Sequence, residues 1–126
     1  MEQTVITKKD GFTLVEIMVS FLLLTIVILG ILQIMAVYSK INVKNTIRDE
    51  AIKVAQECIE NLRNGVNCPS NIIREFRNFS ILYTISAPSV SSFTSGNNPV
   101  QITITYSYPS SNSTQNITLN SVIHRP

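Results

Sequence analysis

The N-terminal third of the chain contains one long apolar stretch. From Ile17 to Ser39 no residue carries a charge. The polar residues within it are Ser20, Thr25, Gln33 and Ser39. A stretch of this length meets the roughly 20-residue requirement for a helix that crosses the hydrocarbon core of a bilayer. The pattern therefore predicts one membrane-spanning helix in this part of the chain.

Beyond the apolar stretch, the apolar residues become periodic. They recur at steps of three and four, which predicts an amphipathic helix that continues outside the membrane. These residues are Ile47, Ala51, Val54, Ala55, Cys58, Ile59 and Leu62. Gly65 predicts the helix end, because glycine readily adopts the left-handed conformation found there. Since one helix cannot bury its own apolar face, a second layer must cover it.

Alternating residues in the second half of the chain predict that layer. Apolar and polar residues alternate from Val100 to Tyr108, a period of two that is typical of a half-buried antiparallel strand. Shorter stretches at 81–86 and 117–123 behave in the same way, separated by a serine-rich loop at 87–99 and a turn at 109–114. The prediction is an α+β fold. A long N-terminal α-helix, membrane-spanning in its first half, packs on a small antiparallel β-sheet of about three strands.

The composition fits one small domain attached to a membrane helix. The chain has 126 residues, which allows a single domain. The formal net charge is +2, and removal of residues 1–11 would leave it unchanged, because they contain two basic and two acidic residues. A charge this small gives no argument for binding nucleic acid.

Two ordinary explanations compete for the apolar stretch. A secretory signal peptide would have a shorter apolar region and a small-residue cleavage site, which residues 36–39 match poorly. A plain membrane anchor fits the length, and Lys8 and Lys9 would then remain cytoplasmic. Neither explains Glu16, because a carboxylate in a membrane helix costs about 2.5 to 3.5 kcal/mol near the bilayer centre and normally has a partner.

A partner for Glu16 would arise from cleavage of the chain. No lysine or arginine lies within reach of Glu16 on its own helix. If the chain were cut after Gly11, Phe12 would become the N-terminal residue, and its positively charged amine would lie at a depth in the membrane similar to that of Glu16. This amine and the Glu16 carboxylate of a neighbouring subunit would then pair in a medium that strengthens their attraction.

These residues together resemble a known processing signal. The basic leader, the hexapeptide Gly11-Phe12-Thr13-Leu14-Val15-Glu16 and the apolar helix resemble the type III signal of type IV pilins and type II secretion pseudopilins. In that family a membrane-embedded aspartyl peptidase cuts after the glycine and also N-methylates the new first residue. The resemblance implies cleavage between Gly11 and Phe12, N-methylation of Phe12, and a role for Glu16 in filament assembly.

The resemblance also implies how the chain is organised. Residues 1–11 would be the prepilin leader, residues 12–39 the transmembrane and filament-core helix, and residues 40–126 a periplasmic or extracellular pilin-like domain. The implied partners are the prepilin peptidase/methyltransferase, the inner membrane and other pilins or pseudopilins, which meet the N-terminal helix. The protein would span the inner membrane once and reach the cell surface in a pilus. No cofactor and no small-molecule substrate are implied.

Two further stretches favour a minor subunit. Residues 27–33 and 51–57 resemble parts of PilV-type minor pilins, and Gln33 stands where major pilins usually have a helix-breaking proline. The predicted function is therefore a minor structural subunit of a type IV pilus. The alternatives are a minor pseudopilin of a type II secretion system and a pilus-associated adhesin or DNA-binding module that uses the loop at 88–99.

Cys58 and Cys68 are the two cysteines of the chain. An even count in an oxidising compartment favours a disulfide. Two separate core residues are the alternative, because spacing alone does not establish the required Cα geometry. A zinc site is not predicted, since zinc takes four ligands and only His124 remains to help. No nucleophile, base and orienting carboxylate can be assembled around that histidine, so we predict a protein that is not an enzyme.

Overall fold

The computed structural model describes residues 11–109, 111 and 113–126. They form one long helix followed by a four-stranded sheet. The elements are helix α1 (Leu14–Arg63) and strands β1 (Asn71–Phe76), β2 (Phe79–Ser86), β3 (Gly96–Ser107) and β4 (Thr114–Arg125). Neighbouring strands are antiparallel, in the order β1-β2-β3-β4. The predicted α+β architecture is confirmed, with four strands in place of about three.

Most of the predicted leader, residues 1–11, is not among the residues that the structure describes. Positions 1–10 are not among the described residues, whereas Gly11 is. The predicted turn at 109–114 likewise includes positions 110 and 112, which are not described. The chain divides after Lys40 into two compact units.

The first unit holds the apolar part of α1. Every side chain from position 11 to position 40 is exposed in the isolated chain. The Ser20 hydroxyl donates a hydrogen bond to the carbonyl four residues before it, and the Thr25 hydroxyl does the same, each at 2.8 Å. These hydroxyls are therefore satisfied within the helix, as an environment without water requires. The helix continues through Gln33 without a break.

The second unit contains the hydrophobic core. The predicted apolar stripe of α1 provides six buried residues, and the inner face of the sheet provides the rest. From the helix they are Ile47, Ala51, Val54, Ala55, Cys58 and Leu62. From the sheet they are Ile81, Tyr83, Ile85, Val100, Ile102, Ile104, Tyr106 and Ile123. The Tyr83 hydroxyl donates a hydrogen bond of 2.9 Å to the carbonyl of Ile47, so its buried polar atom is satisfied by the helix.

Gly65 ends the helix as the sequence predicts. Its φ angle is 77°, in the region that glycine adopts without strain. The Val66 amide donates to the carbonyl of Asn61 at 2.8 Å, and the Gly65 amide donates to that of Leu62 at 3.2 Å. This pair of bonds is a Schellman motif, which satisfies carbonyls left free at the helix end.

Strand β1 was missed by the sequence prediction. Its inward positions are Ile72, Arg74 and Phe76, so a charged residue interrupts the apolar alternation. The structure supplies the missing explanation. Arg74 Nη2 lies 2.7 Å from Glu57 Oε2, and its Nε lies 3.4 Å from Glu50 Oε1, both on α1. Because the partners are far away in sequence, the pattern of the strand alone could not show that Arg74 faces inward.

The loop predicted at 87–99 is shorter than expected. It contains a short 3₁₀ turn at Val90–Ser92, and β3 already begins at Gly96. Asn98 is buried at the start of β3. Its side chain accepts a hydrogen bond from the Thr94 amide at 2.9 Å and donates one to the Thr94 carbonyl at 2.7 Å. Because Asn98 is polar but buried, the alternation of apolar residues begins only at Val100, and the sequence prediction therefore placed the start of the strand too late.

Candidate processing and assembly site

The residues before α1 form its N-terminal cap. Gly11, Phe12 and Thr13 precede the first helical residue, Leu14. The Thr13 hydroxyl accepts a hydrogen bond of 3.2 Å from the Glu16 amide, and the Thr13 carbonyl accepts the first helical bond from Ile17 at 3.2 Å. Thr13 is therefore the N-cap residue, in the Thr-x-x-Glu arrangement of a capping box. The cap fixes where the helix begins.

Glu16 is the acidic residue of the first helical turn. Among the described residues, its carboxylate makes no hydrogen bond and no ion pair, and its side chain is exposed. The second half of the capping box, a bond from the Thr13 amide to this carboxylate, is thus not formed. The positive end of the helix dipole favours a negative charge at this position, but only by about 0.3 to 1 kcal/mol. The carboxylate remains available to a partner from outside the described chain.

Gly11 is not required by the local structure. A Cβ atom built on it would meet nothing within 4 Å in the described part of the chain. A larger residue would therefore meet no clash with the described residues. The described part of the chain gives no reason for a glycine at this position.

The residues that follow Glu16 form an uncovered apolar surface. Phe12 is 80% exposed, and apolar side chains on every face of the helix remain open to solvent as far as Val43. Within the described residues, α1 is the one helix that is long and apolar enough to cross a membrane. Exposed apolar area on this scale is rare on soluble monomers and is typical of a surface that lipid or other protein covers.

The cysteines lie in the second unit, away from this segment in sequence. Cys58 is buried on α1, and Cys68 is half-buried in the segment before β1. The structure joins them in a disulfide, with their Cα atoms 5.2 Å apart. That Cα separation lies within the usual range for such a bond. The bond would tie the end of α1 to the start of the sheet.

No metal centre is found in the described part of the chain. No group of three or more histidine, cysteine, aspartate or glutamate residues there is placed to hold an ion. His124 lies at the exposed end of β4, where its Nδ1 is 2.9 Å from Asn97 Oδ1 on β3. The predicted site residues thus fall into two groups. Gly11, Phe12 and Glu16 lie together at the head of α1, and the cysteines lie at its other end.

The N-terminal segment also matches a family model. The prokaryotic N-terminal methylation motif covers residues 6–32, which include Gly11, Phe12 and Glu16. No curated protein and no solved structure matches the chain. The match supports a protein that is processed like a prepilin and resembles type IV pilins. It concerns the N-terminal segment only and does not distinguish a PilV-type subclass.

Proposed function

We propose that this protein is a minor structural subunit of a type IV pilus that is made as a precursor and assembled through its N-terminal helix. The observation that carries the proposal is the exposed Glu16 carboxylate, which lies at the head of an apolar helix surface that the described residues do not cover. The methylation motif at residues 6–32 supports processing of this segment. The resemblance of residues 27–33 and 51–57 to PilV-type proteins supports a minor role.

Processing would occur between Gly11 and Phe12. No contact with the described residues requires a glycine at position 11, and a peptidase that accepts only a small residue there would explain it. Cleavage would remove Lys8 and Lys9 and create a new amine on Phe12. Methylation leaves an amine basic, so the positive charge would persist.

Assembly would satisfy both features that the isolated chain leaves open. The Phe12 amine of one subunit would pair with the Glu16 carboxylate of the next, which removes the cost of an unpaired charge in an apolar medium. The exposed apolar side chains of α1 would exchange lipid for the helices of neighbouring subunits. The second unit would be carried on the filament. In this function the protein is a substrate of processing and a structural component, not a catalyst.

The N-terminus of the mature protein tests the proposal. Intact mass and N-terminal sequencing of protein from host membranes should give a chain that begins at N-methylated Phe12. Gly11→Leu should block the cut and leave the chain at its full length. Gly30→Leu is the matched control, because a Cβ at Gly30 also meets nothing within 4 Å and its chain should still be cut. A mature chain that still starts at Met1 would refute the processing step.

A second measurement separates a pilus from a secretion system. A minor pilin should be recovered with sheared surface fibres, and its deletion should alter the number or function of pili. A minor pseudopilin should instead remain with the cell envelope, and its deletion should block secretion of exported enzymes. The first result supports our proposal, and the second would replace the pilus with the secretion system.

A further inference from the structure

The charged residues that follow the apolar stretch have one sign. After Ser39 the next three charged residues are Lys40, Lys44 and Arg48, and the first acidic residue is Asp49. The spacing of four between Lys44 and Arg48 places them on the same face of α1. Such positive flanks are typical of the cytoplasmic side of a membrane helix. Under the proposed function this flank lies outside the inner membrane, so its positive charge needs another explanation.

The structure leaves both side chains available. Lys44 and Arg48 are exposed, and neither forms an ion pair within the described residues. Three glutamates further along α1 behave differently, because Glu50, Glu57 and Glu60 each have a basic partner within 4 Å. Asp49, next to Arg48, has no ion pair among the described residues. Lys44 and Arg48 are therefore not held in ion pairs within the described part of the chain.

Two tyrosines lie beside these basic residues. The Lys44 Nζ lies 5.5 Å from the centre of the Tyr108 ring. The Tyr108 ring in turn packs edge to face against Tyr106, with 5.6 Å between the ring centres. Tyr108 is half-buried and keeps part of its ring at the surface. Tyrosine together with lysine or arginine is the combination that anchors proteins at the level of lipid headgroups.

Along α1, Lys44 lies at about that level and Arg48 lies beyond it. Lys44 and Arg48 follow Ser39 by five and nine residues, which is about 8 and about 14 Å along a helix with a rise of 1.5 Å per residue. The headgroup layer extends about 5 to 8 Å beyond the hydrocarbon on each side. Helical side chains generally lean back toward the N-terminus of their helix, so a long arginine side chain at position 48 has the reach to shorten this gap.

We propose that Lys44 and Arg48, with Tyr108 beside them, bind the phosphate groups of anionic phospholipids at the outer surface of the inner membrane. The inference rests on the membrane-spanning role of α1 in the proposed function. It assigns the second unit a docked state on the membrane before the subunit enters the filament. The corresponding signal in the sequence is the spacing of four between two basic residues a few positions after the apolar stretch.

The test uses the full chain in lipid vesicles. The protein is reconstituted into vesicles of phosphatidylcholine alone, or with a third of the lipid replaced by phosphatidylglycerol. An amine-reactive reagent then labels the lysines, and mass spectrometry compares Lys44 with Lys53, an exposed lysine further along the same helix. We expect anionic lipid to slow labelling of Lys44 by about fivefold, as attraction of a basic residue to such a surface implies. Labelling of Lys53 should change little, since it lies beyond the range of the surface charge.

Variants and salt complete the test. Arg48→Gln should reduce the protection of Lys44, whereas the matched change Arg63→Gln should not. High salt should abolish the protection, because screening weakens contacts with lipid charge. Equal labelling of Lys44 in both kinds of vesicle would overturn the inference. Protection of Lys44 that rises with the protein-to-lipid ratio but not with anionic lipid would also overturn it, because a neighbouring subunit would then cover this surface. If the chain fails to float with the vesicles, α1 does not hold it in the membrane and the proposed function itself fails. If the chain floats but Lys44 is not protected, only the inference about lipid binding fails.

Discussion

At the scale of single residues, Glu16 has the clearest predicted effect. Because its carboxylate has no partner in the described chain, removal of the charge should not disturb the fold. We expect Glu16→Gln to insert into the membrane at least as well as the wild type, since a charge in lipid is costly. Incorporation into filaments should fall strongly, because the Phe12 amine of the neighbouring subunit would lose its counter-charge.

Quantitative immunoblots of sheared fibres and of membranes measure these two effects for Glu16→Gln. Glu75→Gln is the matched control, because Glu75 is an exposed acidic residue on β1 and lies outside the apolar helix. Equal recovery of Glu16→Gln and the wild type in fibres would contradict the assembly role.

Arg74 should contribute to stability through its two partners on α1. Its Nη2 lies within 2.8 Å of both Glu57 carboxylate oxygens. Its buried Nε lies near Glu50 Oε1 without a hydrogen bond of good geometry in the described chain. We expect Arg74→Ala to lower the free energy of unfolding by about 1 to 2 kcal/mol, since partly exposed ion pairs contribute up to about 1 kcal/mol each and the aliphatic part of the side chain also packs.

A double-mutant cycle in urea unfolding would separate charge from packing at Arg74. Arg74→Met keeps most of the apolar volume, and its cost should shrink when Glu57→Gln is already present. Additive effects of the two changes would show that the ion pair contributes nothing measurable.

The buried tyrosines predict a loss of stability at alkaline pH. Burial, with a contribution from the neighbouring Tyr108 side chain, raises the pKa of Tyr106 to about 12. Burial also raises the pKa of Tyr83 above its ordinary value. An unfolded tyrosine titrates near pH 10, so the folded state holds these protons more tightly. The stability that these two protonated tyrosines contribute to the fold is therefore fully present below about pH 10. It is lost as the pH rises toward and beyond about 12.

Thermal melts between pH 8 and 12 should show this decline. Tyr106→Phe should make the decline shallower, because phenylalanine has no proton to lose. Tyr83→Phe should in addition lower stability at neutral pH by about 1 kcal/mol, since it removes the hydrogen bond to the Ile47 carbonyl. A melting temperature that is constant to pH 12 would contradict the prediction.

At the scale of elements, the Cys58–Cys68 disulfide should stabilise the junction between helix and sheet. The bond closes a short loop, because the two residues are 10 positions apart. In the chain-entropy account such a loop contributes about 2 to 3 kcal/mol. We expect Cys58→Ala and Cys68→Ala each to lower stability by about this amount. The double mutant should cost little more than Cys58→Ala, because each single change already breaks the same bond.

Melts of the three variants and non-reducing peptide mapping measure the contribution of the bond. Alanine is preferred to serine, since Cys58 is buried and a hydroxyl there would lack a partner. Two free thiols in protein exported by its host would refute the bond. Additive losses in the double mutant would indicate two independent packing roles.

Local pattern was sufficient for some elements and not for others. Three features could be predicted, because each depends on residues that are close in sequence. They are the apolar stripe of α1, the end of this helix at Gly65 and the alternation in β3. Strand β1 and the early start of β3 were not. Arg74 faces inward only because carboxylates on α1 pair with it, and Asn98 is buried only because the preceding turn satisfies its amide.

At the scale of the whole molecule, the second unit should fold without the apolar stretch. Its core is formed entirely by residues from Ile47 onward. We expect a fragment of residues 41–126 to unfold cooperatively when made under oxidising conditions. A fragment of residues 48–126 is the matched comparison. It lacks Ile47, which fills the core and accepts the Tyr83 hydrogen bond, and should be less stable by about 3 kcal/mol. Equal stability of the two fragments would contradict this account of the core.

The strand order also affects the order in which the sheet can form. Each strand of the sheet lies beside the one that precedes it in sequence. If the second unit crosses the membrane as the proposed function requires, α1 emerges first, followed by β1, β2, β3 and β4 in turn. Each strand after β1 therefore finds its partner already in place, and the chain segments closed at each step are short. The domain can grow by one strand at a time during export, without an exposed strand that waits for a distant partner.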